Sequence, residues 1–394
     1  MTKEFKAIDG LESKGLRLNG SATRELANAT MGRDNIIPLW FGEPDVSTPD
    51  FICKAAAGSL EHGETFYSEG LGKPFLREAI AKYQSGLFKN TIGTDRIAVT
   101  LSGGNALNLA FQLILNDGDK VVTTIPAFPN LLAIPSLQSA AVEAVHLEYG
   151  ENGWKLDIDK FLAAARGAKV VLLNSPGNPT GWTLSREEQQ TILQEFRKTG
   201  TWLISDEVYN RIYYNGLAAP SFLEIAEPED RVIAVNSFSK TWAMTGWRIG
   251  WLTLPPSLIP TVEKLMEYSV ACAPVFIQRA AKVALEQGED FIKTSKNRYN
   301  AGLDVVEDRL SRHQNISFKR PEAAFYAYFQ IDGVKNNMEM ARYIIDETGV
   351  GLAPGVAFDP SAKDWFRLCF AQSEERLHQA FDRLDPFIRK IVDK

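Results

Sequence analysis

Cysteine and histidine are scarce in this chain, and their spacing argues against two common kinds of site. The three cysteines, Cys53, Cys272 and Cys369, lie far apart and form no CxxC pair. The four histidines are equally scattered, so we expect neither a disulfide scaffold nor a zinc site. No apolar run is long enough to cross a membrane, and the charged start, MTKEFKAIDG, has no apolar core of the kind found in signal peptides. We therefore expect a cytoplasmic protein without a bound metal.

Positive charge is also in short supply. Lys and Arg number 43 against 49 Asp and Glu in 394 residues, which gives a net charge of -6. This balance provides no broad basic surface for nucleic acid or anionic lipid. With 45% hydrophobic and 23% charged residues, the composition is that of a globular protein with a sizeable core. We expect small-molecule ligands, and neither a nucleic acid nor a membrane as partner.

Several familiar nucleotide and hydrolase motifs are absent. The sequence contains no GxGxxG and no GxSxG, the latter being the nucleophile signature of α/β-hydrolases. Gly72 and Lys73 are followed by Pro74 and lack the upstream glycine of a phosphate-binding P-loop. An NTPase and an α/β-hydrolase are therefore both disfavoured.

Short β-branched runs alternate with helical segments between residues 96 and 253. One of these segments, residues 185–198, begins with the Ser-x-x-Glu pattern of a capping box. Such alternation predicts an α/β fold with a mostly parallel seven-stranded sheet between helices. The predicted strands are residues 96–101, 120–124, 142–147, 169–173, 201–206, 232–237 and 249–253.

The remainder of the chain has a different pattern. Residues 260 to about 300 have a helical pattern, and residues 325–331 and 365–370 have the composition of strands. The first 45 residues contain no clear strand and fit either part of the molecule. A second, smaller region of mixed helix and strand is therefore predicted.

Four loops follow predicted strands, where α/β sheets bind their ligands. Small residues in SGGN (102–105) precede a helix and suit an anion such as phosphate. SFSKTWAMTGWR (237–248) adds hydroxyls, a lysine and an arginine, which offer phosphate donors and a nucleophilic amine. The other two loops are NSPGNPTG (174–181) and DEVY (206–209), the latter with a carboxylate at the strand end. An amine, a phosphate site and a carboxylate together are what pyridoxal phosphate requires.

These segments, together with the late FRLCFA, resemble the fold-type-I aminotransferases of the aspartate aminotransferase family. The likeness extends from Gly42 to Arg367 in order and spacing. It implies a pyridoxal phosphate enzyme that moves the amino group of an L-amino acid to a 2-oxo acid in a ping-pong cycle. It also implies a homodimer with shared active sites. The expected division is an N-terminal segment (1–48) that joins the small domain, a large cofactor-binding domain (49–295) and a small C-terminal α+β domain (296–394).

The resemblance assigns the catalytic roles to three residues. Lys240 resembles the lysine that holds the cofactor as a Schiff base and moves the substrate's Cα proton. Asp206 resembles the carboxylate that pairs with the pyridine nitrogen. Tyr209, together with Asn178, resembles the pair that binds the 3′ oxygen of the cofactor.

The remaining positions of the resemblance concern binding. Arg367 matches the arginine that clamps the substrate's α-carboxylate, and Gly42 matches a glycine that contacts the substrate. Phe128 falls where an aromatic ring stacks on the cofactor, although an ordinary core phenylalanine is the alternative. Tyr67 resembles a tyrosine that reaches the phosphate of the neighbouring subunit. The phosphate itself is assigned to Gly103, Gly104, Ser237 and Arg248, with Ser239 as a weaker candidate.

Two other functions were weighed against transamination. A pyridoxal phosphate carbon–sulfur β-lyase of the same fold typically has PHNPxG where this chain has PGNPTG, and it lacks the TGWR ending at Arg248. A transcription regulator built on an aminotransferase-like body needs a DNA-binding domain, yet the resemblance already begins at Gly42 and the charge is acidic. The transferase is therefore favoured, while aspartate, aromatic and aliphatic amino donors all remain open.

Overall fold

The structure is a computed structural model that describes residues 11–392, and the side chains of residues 11–390. The charged start of the sequence, residues 1–10, lies outside this range. The strands are β1 (Ile37–Pro38), β2 (Ile97–Thr100), β3 (Lys120–Ile125), β4 (Ala141–His146), β5 (Glu148–Gly150), β6 (Gly153–Lys155), β7 (Val170–Asn174), β8 (Trp202–Asp206), β9 (Val232–Ser237), β10 (Gly250–Thr253), β11 (Ile316–Ser317), β12 (Tyr326–Ile331), β13 (Val350–Gly351), β14 (Ala353–Pro354) and β15 (Trp365–Cys369). The α-helices are α1 (Ala22–Ala29), α2 (Asp50–Glu61), α3 (Pro74–Phe88), α4 (Gly103–Ile114), α5 (Asn130–Leu137), α6 (Ile158–Ala164), α7 (Arg186–Thr199), α8 (Phe238–Thr241), α9 (Ile259–Ser269), α10 (Val275–Gln287), α11 (Glu289–Ser311), α12 (Asn337–Thr348) and α13 (Glu374–Val392).

A seven-stranded sheet forms the centre of the molecule, with strand order β2-β10-β9-β8-β7-β3-β4. The pairs β9-β8, β8-β7, β7-β3 and β3-β4 are parallel, whereas β10 runs antiparallel to both of its neighbours. All seven predicted strands occur in this sheet, within one residue at each end. The prediction of a mostly parallel seven-stranded sheet is therefore confirmed.

Burial explains why these strands could be recognised in the sequence. Every residue of β7 and β9 is buried, so each strand appears as a continuous apolar or β-branched run. Helix α7 begins at the predicted capping box, in which Ser185 and Glu188 bond reciprocally to each other's backbone N–H. It ends at Gly200, which has a left-handed backbone with φ of 73°.

A second sheet of strand order β11-β12-β15-β14 lies in the C-terminal part, and both predicted strands of that region are confirmed. The predicted helical region corresponds to α9, α10 and α11. The two-residue strand β1 was not predicted, and it pairs in parallel with β13. The core around the second sheet contains Leu26, Ile37 and Trp40 from the N-terminal part as well as C-terminal residues. The chain therefore packs its two ends around one apolar cluster.

The topology brings the ends of three adjacent parallel strands to one edge of the large sheet. Asn174, Asp206 and Ser237 are the last residues of β7, β8 and β9. Loops that leave this edge are the ones that bind ligands in α/β sheets. Among helices in the described range, none combines the length and apolarity needed to cross a membrane.

Candidate active site

Lys240 lies in α8, directly after strand β9. Its Nζ donates a hydrogen bond of 2.7 Å to the carbonyl oxygen of Gly42. Loss of water around the amine lowers the pKa of Lys240 to about 8. A substantial share of this amine is therefore neutral, and hence nucleophilic, slightly above neutral pH.

Asp206 ends the neighbouring strand β8, and its carboxylate is buried. Burial raises the pKa of Asp206 to about 7, and the Val208 N–H and the charge of Lys240 oppose the rise. Within the described residues, the hydrogen bond to this carboxylate comes from the Val208 N–H at 3.3 Å. A buried carboxylate with so little support from the protein is prepared for a cationic N–H partner.

Arg367 is held between two aromatic rings at the centre of the site. Its Cζ lies 4.3 Å from the ring centroid of Tyr326 and 4.6 Å from that of Phe358. Nη1 donates to Asn178 Oδ1 at 2.7 Å, and Nη2 donates to the carbonyl oxygen of Trp40. The Nε atom is buried and has no hydrogen-bond partner among the described residues. The guanidinium is thus fixed in place by two of its five N–H groups, and the other three, one on each nitrogen, are left for a ligand.

Tyr209 and Gly42 meet at a second tyrosine, Tyr326. The hydroxyls of Tyr209 and Tyr326 are 2.7 Å apart, and burial raises the pKa of Tyr209 well above its usual range. A Cβ atom on Gly42 would come within 2.8 Å of Tyr326 Cζ, so no side chain fits there without displacement. The close approach places the carbonyl of Gly42 against Lys240, which explains the need for glycine.

The proposed phosphate residues of two different loops lie side by side. Gly103 and Gly104 open helix α4, where the hydroxyl of Ser102 caps the N–H of Asn105 at 3.0 Å. A Cβ on Gly103 would lie 3.4 Å from the Cβ of Ser237, so the two loops are in contact. The N–H groups of Gly103 and Gly104 belong to the first turn of a helix, where backbone N–H groups commonly bind anions.

Ser237 and Ser239 add hydroxyls to the same place. The Ser237 hydroxyl donates to Ser239 Oγ at 2.9 Å. Arg248 has a left-handed backbone with φ of 54°, and its Nη1 donates to the carbonyl oxygen of Thr245 at 2.7 Å. The side chain of Arg248 is otherwise exposed, which leaves its charge available for an anion.

Phe128 and Tyr67 are both exposed in the single chain. Phe128 is 41% exposed, which rules out its alternative as an ordinary core residue. The N–H of the preceding Ala127 donates to the carbonyl of Phe358 at 3.0 Å, so this loop borders the residues that enclose Arg367. Tyr67 is 89% exposed, and the contacts of the described residues include none between Tyr67 and Lys240.

Three features of the site were not found from the sequence. Tyr326 and Phe358, which enclose Arg367, carry no motif, although Tyr326 does fall in a predicted strand. The carbonyl oxygens of Trp40 and Gly42 also act here, and backbone atoms leave no sequence signal. The Trp40 ring itself is buried in the core, against Gly351.

The comparisons with known proteins agree with this geometry. The family model described as aminotransferase class I and II matches residues 34–384. The chain is 31% identical over 374 residues to an aspartate aminotransferase of Pyrococcus horikoshii, covering 94% of this chain and 95% of that protein. It is 30% identical over 383 residues to a probable N-acetyl-LL-diaminopimelate aminotransferase of Bacillus subtilis, covering 96% of each. The solved structure of an aspartate aminotransferase from Thermotoga maritima superposes with a TM-score of 0.86 at 32% identity, covering 96% of this chain and 100% of that one.

The fold and the site define a fold-type-I pyridoxal phosphate enzyme of the aspartate aminotransferase type. The chain belongs to the class I and II aminotransferase family. It is an aminotransferase and uses pyridoxal phosphate, and the lyase alternative is not favoured.

The residues present fit that cofactor. A neutral amine for the aldehyde is offered by Lys240, and a nearly unpartnered buried carboxylate for the ring nitrogen is offered by Asp206. The first turn of α4 and the hydroxyl of Ser237 supply donors for a phosphate. Each charged part of the cofactor thus has a chemically matching group in the described structure.

Proposed function

We propose that Lys240 is the residue that holds pyridoxal phosphate covalently and that, once freed, takes and returns the proton at the substrate's Cα. Bound pyridoxal phosphate supplies an electron sink for the carbanion that forms when this proton leaves. The observation that carries the proposal is the position of Lys240 directly after β9, with its Nζ 2.7 Å from the Gly42 carbonyl oxygen. The lowered pKa of Lys240, about 8, supports a role for this amine both as nucleophile and as base.

Asp206 is proposed as the partner of the ring nitrogen. Its burial makes an unpaired negative charge costly, so a protonated ring nitrogen beside it stabilises both groups. Tyr209 and Asn178 are proposed to bind the 3′ oxygen. The hydroxyls of Tyr209 and Tyr326 are 2.7 Å apart, and with Tyr326 as the donor of that bond the Tyr209 hydroxyl donates to the 3′ oxygen.

Arg367 is proposed to bind the substrate's α-carboxylate in a fork. Its hydrogen bonds to Asn178 and to the Trp40 carbonyl fix the plane of the guanidinium before the substrate arrives. Gly42 is proposed to line the substrate beside it. A lysine at position 367 could not reproduce this planar geometry.

The phosphate group is assigned to Gly103, Gly104, Ser237 and Arg248. Support comes from the contact between the two loops and from the exposed charge of Arg248. Phe128 is proposed to stack on the cofactor ring, for which its partial exposure leaves one face open.

A homodimer is proposed, in which Tyr67 reaches the phosphate of the partner subunit. Phe66, Tyr67 and Tyr268 are all more than 80% exposed in the single chain. The N–H of Ser68 donates to Cys272 Sγ at 3.3 Å, which brings the loop of Phe66 and Tyr67 next to the end of α9. Three exposed aromatic rings in one region are typical of a surface that a partner covers.

The domain division at residues 48 and 295 is also a proposal, as is the cytoplasmic location. The division is supported by the apolar cluster that joins Leu26 and Trp40 to the C-terminal sheet. The location is supported by the three cysteines, which are all free.

The test follows the visible absorbance of the yellow purified enzyme while single L-amino acids are added without an acceptor. Aspartate, an aromatic and an aliphatic amino acid are tried in turn, and the same samples are assayed for 2-oxo acid and ammonia. We expect the yellow band to disappear with one equivalent of 2-oxo acid for the true donor. Persistent yellow colour with repeated release of ammonia and pyruvate would instead identify a lyase.

Lys240→Ala and the control Lys54→Ala separate the lysine's role from general effects of losing a charge. Lys54 is exposed on α2, 3.9 Å from Asp50. We expect the Lys240 variant to lose turnover and the control to retain it. Substantial transamination by the Lys240 variant without added amines would contradict the assignment.

A further inference from the structure

A small, partly enclosed cavity lies beside Asn236 and Ser237. Its walls come from α3, from the turn after β8, and from β9, α8 and β10. Its volume is about 20 Å³ for the centre of a water molecule, and one water needs about 10–15 Å³ by that measure. The space therefore suits one water molecule and excludes a larger organic ligand.

The walls carry an unusual concentration of buried polar atoms that have no hydrogen-bond partner. Proteins pair most buried polar groups, so a cluster of exceptions around one cavity indicates a missing partner inside it. Among the lining residues, these atoms are Tyr83 Oη, Gln84 Nε2, Asn210 Oδ1, Asn236 Nδ2 and Trp251 Nε1.

Neighbouring hydrogen bonds fix which atom two of the amides present. Gln84 Oε1 accepts from the Thr253 hydroxyl at 2.7 Å, which leaves Nε2 as a free donor. Asn210 Nδ2 donates to the carbonyl of Ala219 at 2.8 Å, which leaves Oδ1 as a free acceptor. The cavity thus needs an occupant that both accepts and donates hydrogen bonds.

The hydrogen-bonding needs of the wall argue against an anion. Charge does not decide the occupant, because the wall contains both Glu207, which accepts hydrogen bonds from Ser205 at 2.9 Å and Ser221 at 2.7 Å, and Arg211, which is paired with Glu289. A halide, however, could not donate to Asn210 Oδ1. Water meets both requirements.

We propose that one ordered water molecule occupies this cavity, donating to Asn210 Oδ1 and accepting from Asn236 Nδ2 and from one further N–H group, that of Gln84 or that of Trp251. Such a water joins the turn after β8 to β9, and to α3 or β10, through hydrogen bonds that the protein does not make directly. Ser237 and Thr241 lie on the same wall, on either side of Lys240. The water therefore braces the segment that carries the lysine.

Asn236→Leu is the sharpest variant, because the Asn236 side chain makes no direct hydrogen bond to a described residue. If the cavity is dry, replacing an unpartnered amide by leucine should raise the melting temperature. If the cavity holds the proposed water, the same change removes one of its bonds, and we expect a decrease of about 2 °C or more. Thr123→Val is the matched control, since the buried Thr123 hydroxyl is unpartnered but lies away from this cavity.

The decisive measurement is a high-resolution crystal structure of the wild-type enzyme with its cofactor. We expect one density peak within 2.7–3.2 Å of Asn210 Oδ1 and of at least one of the named donors. In Asn236→Leu the peak should be lost and the melting temperature should fall, while Thr123→Val becomes more stable. An empty cavity, an anomalous bromide peak after a bromide soak, or a higher melting temperature in both variants overturns the proposal.

Discussion

The buried carboxylate of Asp206 gives the cofactor-free protein a dependence of stability on pH that Asp206→Asn should remove. Burial raises the pKa of Asp206 from 3.8 to about 7 in the folded state. Between these two values the folded protein binds one proton more than the unfolded chain, so stability decreases as pH rises. From pH 5.5 to pH 8 the loss attributable to Asp206 is about 2 kcal/mol, since one pH unit corresponds to about 1.4 kcal/mol.

The assay is urea unfolding of the cofactor-free wild type and Asp206→Asn at pH 5.5 and pH 8. We expect the free energy of unfolding of the variant, relative to wild type, to be about 2 kcal/mol higher at pH 8 than at pH 5.5. The effect on Glu207 acts in the same direction, because burial, together with the charge of Asp206, raises the pKa of Glu207 to about 7, and the variant removes that charge. The exposed Asp34 provides the control variant Asp34→Asn. A difference between Asp206→Asn and wild type that is the same at both pH values would refute the reasoning.

Three further predictions concern binding. Arg367→Lys should raise the KM for the amino acid by about tenfold or more, because the planar guanidinium held by Asn178 and the Trp40 carbonyl is lost. Steady-state kinetics measures the KM, and an unchanged value would count against a role of Arg367 in binding the carboxylate. Gly42→Ala should abolish most activity through its clash with Tyr326, and the double variant with Tyr326→Phe should recover part of it; equal activities of the single and double variants would exclude the steric explanation. Tyr67→Phe should weaken pyridoxal phosphate binding by about tenfold without dissociating the dimer. Equilibrium dialysis measures the affinity for the cofactor and sedimentation measures the oligomeric state. A variant with wild-type affinity would argue against a contact of Tyr67 across the interface.

The large sheet could be predicted from the sequence because all of its strands except the edge strand β4 are buried along almost their whole length. β7 and β9 therefore appear as unbroken apolar or β-branched runs, which no surface pattern obscures. The two-residue strands β1 and β13 have no such signal. They form only because distant parts of the chain meet, with Ile37 opposite Val350.

The residues of the candidate site also fall into two groups, those that the sequence indicates and those that only the tertiary fold brings together. Lys240, Asp206 and Asn178 lie at or shortly after the ends of strands, so the loop positions and the family resemblance together made them candidates. Tyr326 and Phe358 come from separate parts of the small sheet and its loops, and only the tertiary fold brings their rings to either side of Arg367. Residue type alone cannot indicate such a contact, nor can it reveal which backbone carbonyls will accept from a side chain.

Two neighbouring carbonyl groups, those of Trp40 and Gly42, each hold one of the cationic side chains described above, Arg367 and Lys240. The short stretch between them therefore sets the spacing between the two cations. Anyone building chimeras of this enzyme with a relative should exchange residues 37–43 together with β13–β15, since these parts contact one another through the β1–β13 pair and the bond from Arg367 to the Trp40 carbonyl. A graft that transfers only β15 would place Arg367 beside the carbonyl groups of a different backbone. The distance between Arg367 and Lys240 would then no longer be preserved.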